Sequence, residues 1–374
     1  MKLGIVSDLD RGDPRIAVMP AALKRYGEHG IAVAIEKGLG EHLGIGDEDF
    51  VKAGAAVESR QQLLSGSEAI ARVRAPSAQD IALIGEGAVH ISLLDPFRER
   101  STVEALRAKG VSAVSLEMVP RTTYAQKMDA LSSQASLAGY AAVILGAGKA
   151  KRIMPMMTTP AGTIRPMEVF VIGAGVAGLQ AIATAHRLGA RVSAYDVRAA
   201  AAEQIASLGA KVVRVDVGET GETKEGYALQ LSDAQLARQR QGLAAVCARS
   251  DMIITTAQVF GKPAPVIVTR EMVAQMRPGT VVVDMAVETG GNVEGSRLNE
   301  EVESGGVTVL GYGNLAGRVP WDASAMYAAN VFWLLSELWD PVQKRLVFDG
   351  GNAIVTACLL THNRNIVNPR LTTP

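Results

Sequence analysis

Apolar and helix-like segments alternate along the N-terminal third of the chain. The apolar runs Lys2–Val6 and Ile31–Glu36 have the length of buried strands, and Pro20–His29 between them has the pattern of a helix that ends at Gly30. The same alternation predicts three further elements: Ala88–Leu93, Thr102–Lys109 and Ala113–Leu116. Strands that alternate with helices predict a mostly parallel sheet with helices on both faces.

A second alternating series begins at Glu168. Between the two series, the stretch from about Gln126 to Gly146 predicts a long helix that bridges two lobes. The second series starts with the strand Val169–Ile172 and the helix Ala177–Leu188. The strands predicted after them are Arg191–Tyr195, Ala210–Val215, Met252–Thr255, Thr280–Met285 and Val307–Leu310.

These elements predict the fold class α/β, with two Rossmann-like doubly wound lobes that have mostly parallel sheets and are joined by long helices. After about Arg318 the chain becomes helical again at Ser324–Leu338, and we expect its tail to return to the first lobe. The predicted N-terminal lobe therefore comprises residues 1–135 and 320–374, and the second lobe comprises residues 136–319.

The composition fits two globular domains and argues against some partners. The 374 residues are enough for two full cores, and Lys plus Arg number 38, as do Asp plus Glu. This balance argues against nucleic acid or an anionic membrane as the main partner. Cys247 and Cys358 lie far apart without metal-ligand spacing, so we expect no metal site. Because Met1–Val6 leads straight into a strand and no uninterrupted apolar run reaches ~18–20 residues, we expect a cytoplasmic protein without signal peptide or membrane insertion.

A glycine-rich loop follows the strand Val169–Ile172 directly. Its sequence is Gly-x-Gly-x-x-Gly, and the helix Ala177–Leu188 continues from it. In this setting Gly173 permits a tight turn, Gly175 lets the backbone approach a diphosphate, and Gly178 lets the helix pack closely on the sheet. The diphosphate would lie on the free N–H groups of the helix N-terminus. A strand, turn and helix without a ligand is the alternative.

Asp196 directly follows the next predicted strand, 18 residues after Gly178 and close to the ~20 residues that are typical of a dinucleotide site. A carboxylate there accepts hydrogen bonds from both ribose hydroxyls and repels a 2′-phosphate, so it favours NAD over NADP. Arg198 acts in the opposite direction, because an arginine attracts a 2′-phosphate. We therefore predict that the second lobe binds NAD(H).

Five blocks of the sequence go beyond a generic dinucleotide-binding lobe: Pro120–Gln134, Ala161–Thr163, Gly175–Ala181, Gly261–Pro265 and Val283–Asn292. Together, and in this order, they resemble the alanine dehydrogenase/nicotinamide nucleotide transhydrogenase family. The resemblance extends from Arg15 to the tail near Pro369, which is nearly the whole chain. Several blocks in the order of the family are much more specific than any one of them.

The alanine dehydrogenases of this family use a lysine and a histidine of the first lobe to hold and deprotonate an amino acid. Here Arg72 occupies the lysine position and Leu93 the histidine position. Leucine cannot exchange the proton that oxidation of an amine must release. His90 is three residues from Leu93, and an odd offset points to the opposite face of a strand. His90 is therefore either a displaced catalytic base or a structural or surface histidine.

The transhydrogenases of the family pass hydride directly from one nicotinamide to another and need no such base. The resemblance implies that an Arg-x(4)-Gln-x(2)-Asp segment orients the nicotinamide, so that the catalytic residues here are Arg121, Gln126, Asp129 and Ser132. The first two offer N–H donors to the carboxamide or the second nucleotide, and the other two orient the amide. Holding the rings within ~3–3.5 Å gives such catalysis its rate. An ordinary polar helix start is the alternative.

The resemblance also implies further contacts to the cofactor. Gly226 and Tyr227 lie in the polar stretch Gly218–Gln241, which resembles the family's mobile loop over NAD(H); a plain disordered insertion is the alternative. Gln258 stands where the family has an apolar residue, and Glu288 falls on a catalytic aspartate of the dehydrogenases but belongs to a transhydrogenase-like block. The predicted cofactor-binding residues are Gly173, Gly175, Val176, Gly178, Asp196, Val197, Arg198, Gly226, Tyr227, Gln258, Glu288 and Asn314.

The function that the resemblance implies is that of the soluble NAD(H)-binding component of a proton-translocating transhydrogenase, an oxidoreductase. NADP(H) would be the co-substrate on a partner chain. The implied partners are an NADP(H)-binding beta subunit and a separate membrane-spanning alpha-type chain, with this component as a homodimer docked at the inner face of the membrane. The apolar run Val331–Leu335 fits a dimer or interdomain contact and core packing equally well.

Two other functions are compatible with the sequence. An amino-acid dehydrogenase with a rearranged base would turn over an amino acid or its 2-oxo acid with NAD alone. A non-catalytic NAD-binding regulator would bind NADH yet exchange no hydride, even with a suitable NADP-binding partner. Arg72 and Leu93 argue against the dehydrogenase, and the intact Arg121–Ser132 segment argues against the regulator.

Overall fold

Two compact units make up the chain. The computed structural model describes residues 1–218, 220–221, 231–258 and 261–372. The first unit comprises Met1–Gln134 together with Val319–Pro374, and the second comprises Ala135–Arg318.

The strands of the described residues fall into two large sheets and two short ribbons. In chain order they are β1 (Lys2–Ile5), β2 (Ala32–Glu36), β3 (Ala56–Glu58), β4 (Ala69–Ala71), β5 (Val89–Ser92), β6 (Ser112–Ser115), β7 (Met157–Thr159), β8 (Gly162–Ile164), β9 (Glu168–Ile172), β10 (Arg191–Tyr195), β11 (Lys211–Val212), β12 (Met252–Thr255), β13 (Val281–Asp284), β14 (Glu300–Ser304), β15 (Val307–Gly311), β16 (Trp339–Asp340), β17 (Arg345–Leu346), β18 (Leu359–His362) and β19 (Asn365–Ile366).

The α-helices lie between these strands. In chain order they are α1 (Leu23–Glu28), α2 (Asp47–Lys52), α3 (Arg60–Gly66), α4 (Ala78–Leu83), α5 (Arg100–Lys109), α6 (Ala130–Lys149), α7 (Val176–Arg187), α8 (Ala201–Ser207), α9 (Asp233–Arg249), α10 (Arg270–Ala274), α11 (Pro320–Leu338), α12 (Ala353–Cys358) and α13 (Pro369–Thr372).

The sheet of the first unit has eight strands in the order β19-β18-β6-β5-β4-β1-β2-β3. The six strands from β6 to β3 pair in parallel. Near the C-terminus, β18 pairs antiparallel with β6, and β19 pairs antiparallel with β18. The order of the parallel strands reverses between β1 and β4, and ligands of doubly wound sheets bind at the carboxyl ends of the strands at such a point.

The sheet of the second unit repeats this arrangement in the order β11-β10-β9-β12-β13-β15-β14. Its strands are parallel except for β14, which pairs antiparallel with β15 at the edge. The central strand is apolar on both faces: Val169 and Val171 face one buried cluster, and Phe170 and Ile172 face the other. The predicted α/β fold with two doubly wound lobes is confirmed.

Helix α6 is the one helix of the described residues that is long and apolar enough to cross a membrane, by length and composition alone. Within the second unit it packs closely: a Cβ on Gly139 would lie 2.2 Å from the carbonyl oxygen of Ala177, and one on Gly146 would lie 2.9 Å from the sulfur of Met252. Core helices of soluble proteins meet the same criterion, and 39% of the most apolar window of α6 is buried.

Two sequence predictions of element bounds are wrong. The bridging helix was expected from Gln126 but begins at Ala130, because Asp129 leaves the helical conformation and its carboxylate accepts the main-chain N–H of Ser132 at 2.9 Å. The strand predicted at Ala210–Val215 contains only the two residues of β11. It lies at the edge of the sheet and pairs with β10, which limits the length over which it is held extended.

The polar stretch Gly218–Gln241 was expected to be a loop, and its last segment is helical instead. Helix α9 begins at Asp233, and the side chain of Ser232 caps it in the manner that favours helix initiation. The two predicted cofactor contacts of this stretch, Gly226 and Tyr227, lie outside the described residues.

Candidate functional site

The glycine-rich loop joins β9 to α7 at the point where the strand order of the second sheet reverses. Gly173 has a φ of 101°, a conformation that favours glycine, and its N–H donates to the Tyr195 carbonyl at 2.8 Å. A Cβ on Gly178 would lie 1.9 Å from the Gly173 carbonyl oxygen, so only glycine allows this approach. On Gly175, the N-cap of α7, a Cβ would meet none of the described atoms within 4 Å. Space for a diphosphate therefore adjoins the first N–H groups of α7.

Asp196 and Arg198 lie beside this loop and are bonded to each other. Asp196 Oδ1 accepts the main-chain N–H of Arg198 at 2.8 Å and its Nε at 2.9 Å, and Oδ2 accepts Nη2 at 2.9 Å. Oδ2 also accepts the N–H of Ala174 in the glycine-rich loop at 2.7 Å. Val197 between them is half-buried, and its carbonyl accepts the hydroxyl of Thr220 at 3.2 Å. The structure thus brings this predicted trio together with the loop.

Polar side chains that the sequence reasoning did not single out hold the neighbouring strand ends. Asn292 is fully buried, and its amide bonds both the N–H and the carbonyl of Ala257, at 2.9 and 2.8 Å. Asp284, at the end of β13, accepts the N–H of Asn292 at 3.1 Å, and Thr256 donates its hydroxyl to the Gly173 carbonyl at 3.1 Å. Polar residues directly after apolar strands were the signal that could have identified them.

The other predicted contacts of the second unit are more exposed. Gln258 donates its amide to the Met285 carbonyl at 3.1 Å. Glu288 accepts the main-chain N–H of Asn314 at 3.2 Å, so these two predicted residues are neighbours. Asn314 has a φ of 45°, and its side-chain oxygen accepts the N–H of Gly317 at 3.3 Å. This local bonding stabilises the left-handed conformation that asparagine tolerates better than most residues.

The predicted catalytic segment of the first unit lies between β6 and α6. Ser132 donates its N–H to Asp129 Oδ1 at 2.9 Å and its hydroxyl to Oδ2 at 2.6 Å, so these two residues are joined and the carboxylate caps α6. Arg121 and Gln126 are exposed. Two of the four predicted residues thus form one bonded pair, and the other two present N–H donors at the surface of this unit.

Arg72, which replaces a lysine of the dehydrogenases, is fully buried directly after β4. Its guanidinium bonds the carboxylates of Asp8 and Asp80, the latter at 2.6 Å. Burial alone would lower the pKa of Arg72, and the two carboxylates raise it above its ordinary value. Burial likewise raises the pKa of Asp80, but Arg60 and Arg72 outweigh burial and hold it below its usual range. The charge of Arg72 is therefore committed to its neighbours.

His90 lies fully buried on β5. Its Nε2 is 3.1 Å from the hydroxyl of Ser92, and its Nδ1 has no hydrogen-bond partner among the residues that the structure describes. Burial lowers the pKa of His90 to about 3, and the charge of Arg72 adds to this effect. Leu93, at the histidine position of the dehydrogenases, is half-buried. This environment favours the structural interpretation of His90 over the displaced base.

Comparisons with known proteins agree on one family. The family description "Alanine dehydrogenase/PNT, N-terminal domain" matches residues 4–138, and "Alanine dehydrogenase/PNT, C-terminal domain" matches residues 142–369. The first of the separate chains that form the NAD(P) transhydrogenase alpha subunit of Rhodospirillum rubrum is 42% identical over 100% of this chain and 99% of its own length. The crystal structure of transhydrogenase from Sinorhizobium meliloti superposes with a TM-score of 0.89 at 42% identity, over 98% of this chain and 100% of that one. An alanine dehydrogenase of Mycolicibacterium smegmatis is 30% identical over 79% of this chain and 75% of its own length.

Proposed function

The chain belongs to the alanine dehydrogenase/PNT family, and we propose that it is the NAD(H)-binding component of a proton-translocating NAD(P) transhydrogenase. It is then an oxidoreductase that passes hydride directly between NAD(H) on this chain and NADP(H) on a partner subunit. The observation that carries the proposal is the glycine-rich loop at the reversal of the second sheet, where α7 leaves room beside Gly175 and Asp196 lies against the loop.

In this proposal the second unit holds the dinucleotide and the first unit supplies the groups that orient the reacting ring. The diphosphate lies on the N–H groups that begin α7, and Asp196 accepts from the ribose. Bound NAD(H) supplies the hydride chemistry itself. Arg121 and Gln126 donate N–H groups to the carboxamide or the second nucleotide, while Asp129, held by Ser132, fixes the start of α6 beside them. Since the nicotinamide exchanges only hydride, the chain needs no catalytic base.

The proposed partners follow from the same assignment. An NADP(H)-binding beta subunit accepts the hydride, and a separate membrane-spanning alpha-type chain couples the transfer to proton movement at the inner face of the membrane. The name of the relative in Rhodospirillum rubrum describes only a portion of an alpha subunit, which supports such a division between chains.

We also propose a homodimer. The ribbon of β7 and β8 is exposed along both strands, and it carries Met157 and Ile164 with 44% and 46% of their surface exposed. A two-stranded ribbon is marginal in water by itself, so a second copy that covers it is the arrangement we expect.

An amino-acid dehydrogenase is the competing assignment, because the family includes such enzymes. It requires a group in the first unit that takes a proton from the substrate amine. His90 is neutral and buried against Ser92, and Arg72 is paired with two carboxylates, so neither is available for this role in the conformation described. The observations therefore favour the transhydrogenase.

The test is a hydride-exchange assay in which NADH is first titrated into the purified protein. A soluble NADP(H)-binding transhydrogenase component and an NAD analogue with a distinct absorbance are then added. We expect exchange that depends on the partner and that falls about tenfold or more in Arg121→Ala and in Gln126→Ala, because each variant loses a donor that aligns the ring. Thr123→Ala, an exposed change in the same segment, is the matched control and should exchange like the wild type.

Two outcomes would overturn the assignment. Turnover of alanine or pyruvate with NAD by this chain alone, together with binding but no exchange in the partner assay, would establish a dehydrogenase. NADH binding without exchange and without amino-acid turnover would establish a regulator.

A further inference from the structure

The carboxylate of Asp196 has its hydrogen-bonding capacity filled by the protein itself. A carboxylate offers about four lone-pair sites. Two are taken by main-chain donors, the N–H groups of Ala174 and Arg198 at 2.7 and 2.8 Å. The other two are taken by Nε and Nη2 of the Arg198 guanidinium, each at 2.9 Å. A ribose that is to bond this carboxylate must therefore displace existing donors.

The two kinds of donor differ in how readily they move. The main-chain donors belong to the glycine-rich loop and the end of β10, which the fold holds in place. The guanidinium is carried on a flexible side chain that retains 18% of its exposure, whereas Asp196 retains 7%. Nη2 also donates to the Ala174 carbonyl at 3.2 Å, so the guanidinium lies across the turn where the ribose has to sit.

We propose that Arg198 is the residue that sets the discrimination between NAD(H) and NADP(H) at this site, acting as an internal counter-ion of Asp196. The proposal rests on the proposed function, because it assumes that the glycine-rich loop binds a dinucleotide. The two hydroxyls of an unphosphorylated ribose take over the positions that Nε and Nη2 vacate. A ribose 2′-phosphate meets a carboxylate whose charge is already neutralised and a guanidinium whose planar fork suits phosphate oxygens. Arg198 therefore weakens NAD(H) binding and strengthens NADP(H) binding.

The test compares ADP-ribose with 2′-phospho-ADP-ribose by isothermal titration calorimetry, so that neither the nicotinamide nor hydride transfer enters the result. In Arg198→Ala we expect ADP-ribose to bind about threefold tighter, because the free carboxylate then has open lone pairs that the ribose fills. We expect 2′-phospho-ADP-ribose to bind about tenfold weaker, because its phosphate loses a cation. The ratio of the second dissociation constant to the first should thus rise about 30-fold.

Two further variants keep this test sharp. Arg198→Lys retains the charge but not the fork, so the ratio should lie between those of the wild type and Arg198→Ala. Arg191→Ala removes an exposed arginine at the other end of β10 and should leave the ratio unchanged. Thermal unfolding of each variant checks that the second unit is folded, since Arg198 also bonds the glycine-rich loop.

The outcomes separate this inference from the proposed function. A wild type that binds neither ligand would refute the dinucleotide site itself. A wild type that binds ADP-ribose, with a ratio that stays the same or falls in Arg198→Ala, would refute only the role of Arg198. A ratio that rises in Arg198→Ala, by less in Arg198→Lys and not in Arg191→Ala would establish that role.

Discussion

The two units share one strand order, yet the charged groups at the ends of their central strands are used differently. In the first unit, Arg72 follows β4 and is sealed between Asp8 and Asp80, with no exposure of the guanidinium. In the second unit, the corresponding reversal of strand order carries the glycine-rich loop, whose helix N-terminus faces open space beside Gly175. The same topology therefore gives a closed, self-satisfied strand end in one unit and a ligand-accepting one in the other.

The ion pairs of the two units sharpen this contrast. Arg72 bonds two carboxylates that are themselves buried, so no ligand can replace it without leaving charges uncompensated. Arg198 bonds one carboxylate at a partly open edge, where ribose hydroxyls can take its place. Whether a strand-end charge is structural or functional thus depends on how many of its partners remain when a ligand arrives.

The largest expected effect comes from breaking the closed end. Arg72→Met should lower the free energy of unfolding by about 3–5 kcal/mol, because it leaves buried carboxylates without their cation. Urea denaturation measures this loss. Arg98→Met, which removes an exposed pair with Asp95, is the control and should cost under about 1 kcal/mol. A loss no larger than that of the control would show that the network around Arg72 is not structural.

Glu117 extends the closed end to the neighbouring strand β6 and makes its stability depend on pH. Its carboxylate accepts the N–H groups of Leu94 and Asp95 and the hydroxyl of Ser115. Burial raises the pKa of Glu117 to about 6, although these bonds act to lower it. Since the folded state then holds a proton that the unfolded state has released, the stability contributed by Glu117 is present at pH 4 and falls as pH rises towards 7.

The size of this effect is about 2 kcal/mol, from the shift of the pKa away from its ordinary 4.5. Glu117→Gln removes the titration, so the stability of the variant relative to the wild type should improve by about that amount between pH 4 and pH 7. Urea denaturation of both proteins at the two pH values gives the difference. A relative stability that is constant with pH would show that Glu117 ionises as it does in the unfolded chain.

The open end is broken most selectively at Gly175. An alanine there meets none of the described atoms within 4 Å and its φ of −74° is ordinary, so the second unit should fold normally. The added methyl group occupies the space that the diphosphate needs, and we expect the dissociation constant for NADH to rise about tenfold. Fluorescence titration measures binding, and thermal unfolding verifies the fold.

Gly148→Ala is the matched control for this change, because a Cβ there also meets none of the described atoms within 4 Å and the residue lies on α6. It should bind NADH like the wild type. If Gly175→Ala also binds NADH like the wild type, the diphosphate does not lie on this loop.

The open end could be predicted from sequence because its determinants are local. The strand Val169–Ile172, the loop Gly173–Gly178 and the helix after it follow one another directly, and Asp196 comes within one further βα unit. The same local reasoning placed the fold class, since each apolar run marks its own strand.

The closed end could not be predicted in this way. Arg72 and Asp8 are 64 residues apart, and no local pattern indicates that they bond each other. Element bounds failed where polar sequence is ambiguous: Asp129 caps a helix instead of beginning one, and the polar residues from Asp233 onward form α9 because a serine cap initiates it. Such errors are settled by which hydrogen bond wins, and composition does not decide that.

The smallest expected effect tests whether the closed end is involved in chemistry. His90→Gln should leave the rate of hydride exchange within about twofold of the wild type, because His90 is fully buried and neutral, with a pKa of about 3. The partner-dependent exchange assay measures this rate, and turnover of alanine with NAD is followed in parallel. Since burial keeps the folded His90 neutral while the unfolded one protonates near pH 6.5, the wild type loses stability as pH falls from 6.5 towards 3, and the variant should lose less. If the wild type turns over alanine and His90→Gln abolishes that turnover, His90 is a catalytic base and the first unit is not closed to substrate.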